Sequence, residues 1–455
     1  MQAEEIVNVQ RKFFRTGTTR KLDYRLNALQ ILKDGINRMM PEIYKALAAD
    51  LGKCEAESYM AEVGLTLSEL SYMEKHLKRF AARKNVSTPL AQFPAKSYEM
   101  PEPYGVVLIM SPWNYPFMLT MEPLIDAVAA GNTVVVKPSD YAPNTSRVIA
   151  KLIRQCFSVK LAAVVEGGRE QNKELLDQQF DYIFFTGGKT VGRLVMEKAA
   201  VHLTPVTLEL GGKSPCIVTE SADLKVAARR IVFGKYLNLG QTCVAPDYLL
   251  VHENVKKPLL RFIVREIKRQ WGKNPLEDKE YGNIINEKHF KRLNGLLKGT
   301  DIIIGGSNDG HLKIEPTVVD NVTAGDALMQ EEIFGPVLPV LTFSTREEVV
   351  DIIRKNPTPL ALYLFTSEKK DIRYYMNRVR FGGGCINDTV IHLATSNMGF
   401  GGTGESGMGS YHGKRGFDTF SHYKSIVDKK TWLDLPFRYH PMKPWKYRFI
   451  RKFLK

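Results

Sequence analysis

Residues 105–137 read GVVLIMSPWNYPFMLTMEPLIDAVAAGNTVVVK, with a short apolar run on either side of a helix-compatible segment. The runs Gly105–Met110 and Thr133–Val136 are rich in β-branched residues, which favour strands. Similar runs follow at Leu161–Glu166 and Tyr182–Thr186, again separated by segments that can form helices. This alternation predicts βαβ units in a mostly parallel sheet, and such sheets bind ligands at the carboxyl ends of their strands.

A second α/β series occupies the middle of the chain, and we place a domain boundary near Gly211, before it begins. The chain of 455 residues exceeds the roughly 250 to 300 residues at which single cores stop growing, so we expect at least two domains. The apolar runs of the second series lie at Cys216–Val218, Tyr248–Val251, Val337–Phe343 and Ala361–Phe365.

Three further segments flank the two series. Apolar residues at three- and four-residue steps from Thr18 to Leu51 predict an amphipathic helix. Four prolines from Pro89 to Pro103 indicate an extended or linking segment. Glycine is so frequent from Phe400 to Gly416 that we expect a loop there, followed by a strand near Ser425–Val427.

The composition excludes several classes of protein. With 44% hydrophobic and 25% charged residues, the chain is similar to ordinary soluble globular proteins and unlike disordered or collagen-like ones. It contains no apolar run of about 18 residues and no apolar signal core near its start, so we expect a cytosolic protein. Five cysteines without a CxxC pair and nine histidines without an HExxH motif predict neither a disulfide framework nor a metal site.

Positive charge is concentrated in residues 429–455, which we call the C-terminal tail. The tail has nine lysines and arginines against one aspartate, which gives it +8 of the net +15 of the chain. It also has seven aromatic residues, and the combination suits a membrane interface. The alternative is that the aromatic residues pack on the folded body while the cations stay in water; nucleic acid is not expected as a partner. Three prolines exclude one long helix before about residue 445.

Two polar residues differ in character from their neighbours. Cys243 lies among small polar residues just after a helix-like segment at Leu224–Asn238. It is either a buried, inert thiol or, if its thiolate is stabilised, a nucleophile. Glu209 lies in an apolar run that ends at a glycine pair. It is either an edge-strand acid facing water or a desolvated carboxyl with a raised pKa, which could serve as a general base.

Further polar residues follow the first two predicted strands. Asn114 lies in a turn bracketed by Pro112 and Pro116. It is either a turn-forming residue or a fixed amide that donates a hydrogen bond to a developing oxyanion. Lys137 follows the second strand, with Asp140 close behind it, and this pair could bind ribose hydroxyl groups.

In this order along the chain, the motifs resemble the aldehyde dehydrogenase superfamily, and the resemblance runs from the N-terminal helix to about Lys424. Its most specific parts are the cysteine loop, the Glu209 segment and the run Glu331–Pro336, EEIFGP. Features similar to the class 3 branch are the short length and the stretches Thr204–Thr207, Cys243–Tyr248 and Gly407–Lys414.

The resemblance implies an α/β, aldehyde dehydrogenase-like fold with a Rossmann-type cofactor domain, an α/β catalytic domain and a small bridging or oligomerisation element. It also implies a homodimer. The expected segments are a dinucleotide-binding domain at 1–83 and 104–210, a catalytic domain at 211–395, bridging segments at 84–103 and 396–428, and the C-terminal tail at 429–455.

The resemblance makes Cys243 the nucleophile, Glu209 the general base and Asn114 the oxyanion donor, with the backbone N–H of Cys243 as second donor. The chemical requirements agree with these roles. Addition of a thiolate to an aldehyde gives a thiohemiacetal, from which hydride passes to nicotinamide and leaves a thioester. Water activated by Glu209 then releases the carboxylic acid.

The implied cofactor is NAD, with NADP as a second candidate. The sequence departs from the family at Gly188, where a serine is usual, and at Asp140, where a glutamate is usual. The shorter acid would leave room for a 2′-phosphate, which is the reason for considering NADP. The implied cofactor residues are Lys137 and Asp140 at the adenosine ribose, Trp113 near the phosphates, Thr186, Gly187, Gly188 and Gly192 at the pyrophosphate, Glu332 at the nicotinamide ribose and Phe334 at the ring.

Apolar residues beside the catalytic positions predict a pocket for medium- to long-chain aliphatic or aromatic aldehydes; plain core packing is the alternative. They are Tyr115, Met118, Leu119, Phe233 and Leu237. Two other functions stay open at this point. One is an acylating enzyme that transfers the thioester to coenzyme A, and the other is a catalytically silent scaffold at a membrane surface. Retention of Glu209 favours hydrolysis over transfer to coenzyme A.

Overall fold

The structure is a computed structural model that describes residues 2–453. Met1, the first residue of the predicted dinucleotide-binding domain, lies outside the described residues. The same is true of Leu454 and Lys455 at the end of the C-terminal tail.

The described residues form an α/β fold, as predicted from the alternating apolar runs. Its strands are β1 (Lys84–Val86), β2 (Ala95–Pro103), β3 (Val106–Met110), β4 (Thr133–Lys137), β5 (Ala162–Val164), β6 (Tyr182–Gly187), β7 (Val206–Leu210), β8 (Pro215–Val218), β9 (Tyr248–His252), β10 (Asp301–Ile304), β11 (Thr317–Asp320), β12 (Val337–Phe343), β13 (Ala361–Phe365), β14 (Gly383–Ile386), β15 (Gly407–Met408) and β16 (Ser421–Lys429).

Four helices precede β1, and the others are interspersed among the later strands; a π-helical turn at Tyr59–Val63 joins the third helix to the fourth. The helices are α1 (Ala3–Arg15), α2 (Leu22–Leu51), α3 (Glu55–Ser58), α4 (Gly64–Phe80), α5 (Met118–Ala130), α6 (Pro143–Cys156), α7 (Arg169–Leu176), α8 (Lys189–Ala200), α9 (Leu224–Tyr236), α10 (Lys256–Trp271), α11 (Glu287–Leu296), α12 (Ala327–Gln330), α13 (Arg346–Arg354), α14 (Lys369–Arg378), α15 (Gly413–Thr419) and α16 (Pro444–Phe453).

A six-stranded sheet contains the four strands of the first predicted series. Its order is β15-β7-β6-β3-β4-β5, and all neighbours are parallel except β15 and β7. Alternate residues of β3 enter two hydrophobic clusters, Val107 and Ile109 in one and Val106 and Leu108 in the other. Because both faces are covered, these strands are apolar throughout, as is typical of parallel sheets.

A seven-stranded sheet contains the second predicted series. Its order is β10-β11-β12-β9-β8-β13-β14, and all neighbours are parallel except β10 and β11. The four predicted strands are its central members, β12, β9, β8 and β13, and each is almost fully buried. Strands β10 and β11 at one edge and β14 at the other were not predicted from the sequence.

A three-stranded antiparallel sheet, β1-β2-β16, joins the proline-rich segment to the end of the chain. Nine residues of β16 pair with nine of β2, from Ser421 opposite Pro103 to Lys429 opposite Ala95. The strand predicted near Ser425–Val427 is therefore longer than expected, and the linking segment is part of a sheet. This pairing joins residues far apart in sequence, so local patterns could not indicate it.

The C-terminal tail leaves β16 and forms a short 3₁₀ turn at Pro436–Arg438, followed by α16. The helix begins at Pro444, which agrees with the expectation that prolines exclude a long helix before that point. Among residues 2–453, no helix is long and apolar enough to cross a membrane.

Candidate active site

The carboxyl ends of β3, β4, β6 and β7 meet at one edge of the six-stranded sheet, because these strands are parallel neighbours. From β3 the chain proceeds to β4 and β5 on one side, whereas β6 and β7 lie on the other side. Ligands bind in α/β sheets where the strand order reverses in this way. The edge carries Asn114 after β3, Lys137 at the end of β4, Gly188 after β6 and Glu209 within β7.

The cysteine loop has an unusual backbone. Helix α9 ends at Tyr236, and Asn238 and Leu239 then adopt left-handed conformations with φ of 51° and 52°. The helix predicted for Leu224–Asn238 is therefore slightly too long. The Gln241 side chain fixes the loop, since its Nε2 donates to the carbonyl oxygens of Asn238 and Asn283 at 3.1 and 3.0 Å. The following turn presents Cys243, which is half-buried.

Asn114 is buried and contacts the cysteine loop. Its Nδ2 donates to the carbonyl oxygen of Gln241 at 3.0 Å, and its own carbonyl oxygen accepts a hydrogen bond from Asn238 Nδ2 at 2.8 Å. The next residue, Tyr115, shares a 2.6 Å hydrogen bond between its hydroxyl and that of Thr242. An amide nitrogen carries two hydrogens, and Gln241 accepts one of those on Asn114.

Glu209 is buried, and neither of its carboxyl oxygens has a hydrogen-bond partner within the described protein. It pairs with Thr186 of β6 on one side and Gly407 of β15 on the other, so it does not lie on an edge strand. Burial raises the pKa of Glu209 well above its usual value. A carboxyl of this kind needs a bound water or substrate as partner, which is the environment expected of a general base.

The Cys243 thiol lies in an acidic environment. Burial, followed by the Glu332 and Glu209 carboxyls, raises its pKa, while the backbone N–H groups of Cys243 and Val244 act in the opposite direction. The thiol is therefore predominantly protonated near neutral pH in the free protein. A positive charge nearby would favour the thiolate, because it would offset these carboxylates.

The start of α8 has the properties of a phosphate site. Gly188 is its N-cap and offers no side-chain cap to the first N–H groups of the helix. A Cβ added at Gly188 would meet nothing within 4 Å, whereas one at Gly192 would lie 2.8 Å from Leu210. Within residues 2–453, the buried hydroxyl of Thr186 has no hydrogen-bond partner. Free N–H groups, an unpartnered hydroxyl and open space together fit a dinucleotide pyrophosphate.

The predicted ribose residues differ in burial and in their contacts. Lys137 is buried, burial lowers its pKa, and its Nζ donates to the carbonyl oxygen of Pro138 at 2.7 Å. Asp140 is exposed. Glu332 Oε1 accepts a hydrogen bond from the backbone N–H of Gly212 at 3.1 Å, and burial raises its pKa to about 8.

Two aromatic residues complete the predicted cofactor set. The centre of the Phe334 ring lies 5.3 Å from that of Trp113 in an edge-to-face arrangement. Phe334 has a left-handed backbone with φ of 50°. Gly187 is the last residue of β6 and directly precedes Gly188.

An apolar cavity of about 200 Å³ reaches Cys243. All five residues of the predicted substrate pocket line it: Tyr115, Met118, Leu119, Phe233 and Leu237. Sequence reasoning missed the remaining wall, which includes Met60 and Leu65 near the N-terminal helices and Val390, Phe400, Tyr411 and His412 near the C-terminal end. Only the stretch Gly407–Lys414, noted for its resemblance, gave any signal for these residues.

Two buried charged residues behind the site, Lys53 and Glu62, and the half-buried Glu57 were also missed. Lys53 and Glu62 form an ion pair with Nζ and Oε1 2.5 Å apart. Glu57 accepts a hydrogen bond from the backbone N–H of Asn238 at 2.9 Å. No local pattern distinguishes these residues from the surface charges of the same helices. Within residues 2–453, no group of three or more side chains is arranged to hold a metal ion.

Comparison with known proteins gives consistent results. Residues 1–426 match the model of the aldehyde dehydrogenase family. The chain is 47% identical over 446 residues to the 4,4′-diaponeurosporen-aldehyde dehydrogenase of Staphylococcus aureus (strain NCTC 8325 / PS 47), covering 97% of each chain. It is 44% identical to aldehyde dehydrogenase family 3 member A2 of Mus musculus, covering 92% of this chain and 87% of the relative.

A further relative and a solved structure extend these similarities. The dimeric NADP-preferring aldehyde dehydrogenase of Canis lupus familiaris is 42% identical, covering 96% of this chain and 97% of the relative. The substrate-bound structure of Staphylococcus aureus AldH has 46% identity and a TM-score of 0.98, covering 99% of each chain. The predicted resemblance and fold are both confirmed.

Proposed function

The chain belongs to the aldehyde dehydrogenase family, and from this premise we propose that Cys243, Glu209 and Asn114 catalyse the NAD(P)-dependent oxidation of an aldehyde to its carboxylic acid. The activity itself, NAD(P)-dependent oxidation of an aldehyde, is that of the family. The observation that carries the residue assignment is the half-buried thiol of Cys243 at an apolar cavity, with the unpartnered carboxyl of Glu209 near it.

In the first half of the reaction, the Cys243 thiol gives up its proton to solvent, and the thiolate Sγ adds to the carbonyl carbon of the aldehyde; the carbonyl π electrons move to oxygen and a thiohemiacetal forms. The developing oxyanion accepts hydrogen bonds from the second Nδ2 hydrogen of Asn114 and from the backbone N–H of Cys243. NAD(P)⁺ supplies the hydride acceptor when it is bound. The Gln241 contacts hold the cysteine loop and the Asn114 amide in one arrangement, so the oxyanion site is formed before substrate arrives.

In the second half, Glu209 removes a proton from water as the water oxygen attacks the thioester carbon. The carbon–sulfur bond then breaks, which releases the carboxylic acid and regenerates the Cys243 thiolate. The raised pKa of Glu209 makes it a stronger base than an exposed glutamate once it is ionised. Because neither buried carboxyl oxygen has a hydrogen-bond partner among the described residues, both retain the capacity to accept a hydrogen bond from the attacking water. The comparisons do not favour transfer to coenzyme A or a silent scaffold.

We propose that the residues at the sheet edge bind NAD(P). The N-terminus of α8 and Thr186 would hold the pyrophosphate, Lys137 and Asp140 the adenosine ribose, and Glu332 the nicotinamide ribose. Phe334 would pack against the nicotinamide ring, and Trp113 would lie near the phosphates. Support comes from the uncapped helix start, the open space at Gly188 and the unpartnered Thr186 hydroxyl.

Gly188→Ser is expected to tighten NAD binding several-fold. The added Cβ would meet nothing within 4 Å, and the backbone φ of −77° suits any residue, so the serine hydroxyl can join the phosphate donors without strain. Titration of NAD by fluorescence measures the dissociation constant directly. Gly192→Ser is the matched comparison and should weaken binding, because its Cβ would crowd Leu210. Weaker NAD binding by Gly188→Ser would contradict the assignment.

We propose medium- to long-chain aliphatic or aromatic aldehydes as substrates, because the cavity wall is almost entirely apolar. An aldehyde panel that includes 4,4′-diaponeurosporen-aldehyde, read at 340 nm with NAD and with NADP, tests this proposal. We expect kcat/KM to rise with chain length and both cofactors to be used, since Asp140 is short and exposed. Acid should form without added coenzyme A. A preference for charged semialdehydes, or no NADP turnover, would contradict these assignments.

We also propose the domain division predicted from the sequence, with a homodimer as the assembly. Support comes from the dimeric relative and from exposed apolar side chains on α8 and just after it. These are Val191, Leu194, Met196, Val201 and Leu203. Sedimentation at micromolar concentration should give a dimer, and a monomer would contradict the proposal.

The C-terminal tail is proposed to contact an anionic membrane surface from the cytoplasmic side. Its aromatic residues do not all pack on the folded body: Trp432 is 70% exposed and Tyr447 is 59% exposed. Arg448 and Lys452 of α16 are exposed as well. An open groove of about 730 Å³, lined by tail residues and by Leu90 and Phe93, adds further apolar surface. Exposed rings and cations together favour the headgroup region of a bilayer.

Deleting residues 430–455 is expected to abolish co-sedimentation with vesicles that contain phosphatidylserine, while β16 stays complete. Arg448→Gln/Lys452→Gln should weaken binding and its salt dependence, because each neighbouring cation contributes about 1 kcal/mol at such surfaces. Lys225→Gln/Lys257→Gln, which removes two exposed cations elsewhere, is the control and should bind normally. Equal binding by full-length and tail-deleted protein would exclude the membrane contact.

A further inference from the structure

A buried ion pair lies directly behind the loop that carries Asn114. Lys53 follows the end of α2, and Glu62 lies in the π-helical turn Tyr59–Val63. Their side chains are 1% and 0% exposed, and Lys53 Nζ is 2.5 Å from Glu62 Oε1. Such pairs give little net stability compared with apolar residues of the same volume, so stability alone does not account for this one.

Both members of the pair bind the segment from Asn114 to Met118. Lys53 Nζ donates to the carbonyl oxygen of Asn114 at 3.0 Å and lies 4.1 Å from the centre of the Tyr115 ring. Glu62 Oε2 accepts the backbone N–H groups of Phe117 and Met118 at 2.8 and 3.2 Å. These are N–H groups at the start of α5 that have no partner within the helix.

The contacts fix the peptide from which the Asn114 amide projects. Its carbonyl oxygen has two donors, Lys53 Nζ and Asn238 Nδ2, and Asn238 Nδ2 also donates to the carbonyl oxygen of Gln241 at 3.1 Å. The Asn114 amide itself donates to the same Gln241 oxygen. Lys53 thus helps to hold the Asn114 loop against the loop of Cys243.

We infer that Lys53, neutralised by Glu62, is a positioning residue that holds the Asn114 amide at the oxyanion of the Cys243 adduct. The inference rests on the proposed role of Asn114. Lys53 does not line the apolar cavity and is not among the proposed cofactor residues, so it acts only through the Asn114 peptide. Its loss should therefore affect the same step as loss of the Asn114 amide.

The double substitution Lys53→Met/Glu62→Gln tests the inference while avoiding a stranded buried charge. Methionine fills the apolar part of the lysine site, and the glutamine oxygen can still accept from Phe117 and Met118. We expect kcat to fall about tenfold or more, because small displacements of a catalytic group are costly, with the KM for NAD unchanged. Lys33→Met/Glu74→Gln removes a half-buried pair between α2 and α4 and should leave kcat unchanged.

A double-mutant cycle separates positioning from a general structural effect. Asn114→Ala alone should lower kcat by about 10²- to 10³-fold. In the Asn114→Ala background, Lys53→Met/Glu62→Gln should cost less than twofold, because the amide it positions is absent. Equal losses in both backgrounds would overturn the inference. If the methionine variant does not fold, Lys53→Gln/Glu62→Gln, which places a neutral and shorter side chain at position 53 and again leaves no buried charge unpaired, is put through the same cycle with the same criterion.

The outcomes distinguish this inference from the function on which it rests. Full activity of Asn114→Ala would remove the oxyanion role and the inference with it. A large loss in Asn114→Ala, with additive losses from the pair, would leave the proposed function intact and reject only the role of Lys53.

Discussion

Cys243→Ala is expected to lower aldehyde-dependent NADH formation by at least about 10⁴-fold, since removal of a covalent nucleophile leaves only binding and the oxyanion site. Cys243→Ser should be nearly as inactive. Its hydroxyl has a far higher pKa than a thiol, and the burial and carboxylates that raise the pKa of Cys243 disfavour an alkoxide still more. Initial rates at 340 nm with saturating aldehyde and NAD measure the effect.

Cys156→Ser is the matched control, because Cys156 is also a half-buried thiol but lies at the end of α6, away from the cavity. It should retain activity. NAD should bind the wild type and both Cys243 variants alike, which shows that the fold is intact. If the wild type, Cys243→Ala and Cys243→Ser were equally inactive on a broad aldehyde panel, the silent scaffold would be supported. Full activity of Cys243→Ala would reject the thiohemiacetal route.

Glu209→Gln is expected to lower steady-state turnover by about 10² to 10⁴-fold, while the first half of the reaction is retained. The variant should release close to one NADH per active site in a burst and then stall as the thioester. Stopped-flow absorbance measures the burst, and mass spectrometry of the intact protein measures the acyl group on Cys243.

The pH dependence of Glu209 has a defined sign. Glu209 acts as base only when ionised, and burial raises its pKa, so turnover limited by hydrolysis should fall as pH decreases through that raised value. In Glu209→Gln this acidic limb should disappear. Glu122→Gln is the control, because Glu122 is equally buried, also has a raised pKa and faces His412 at 3.2 Å. It should keep the limb. Normal turnover and an unchanged limb in Glu209→Gln would contradict the assignment.

Local patterns predicted the elements that position the site. β-Branched runs indicated β3, β4 and β6, and their parallel arrangement places Asn114, Lys137 and Gly188 at one edge. Local patterns left Cys243 and Glu209 each with a structural and a catalytic interpretation, and only the family resemblance assigned their roles, which stay predictions. The five apolar residues expected to form a pocket do line one cavity, although their role in substrate binding stays a prediction.

The parts that could not be predicted depend on contacts between distant segments. Lys53 and Glu62 look like ordinary surface charges until α2 and the π-helical turn are packed behind the Asn114 loop. The left-handed backbone extends from Asn238 through Leu239, and leucine rarely adopts that conformation, so the exact end of the helix could not be predicted. Tertiary packing, including the contact of Gly240 with Gly335, determines this loop.

The pairing of β16 with β2 has a consequence for synthesis of the protein. On the ribosome, the nine residues of β2 leave the exit tunnel more than 300 residues before their partner, from Ala95 to Lys429. Until then this edge is open to pairing with other nascent chains, a hazard that its lysine, glutamates and prolines reduce. Premature termination before residue 421 should therefore leave this edge of β2 without its partner strand, even though both large sheets could already be complete.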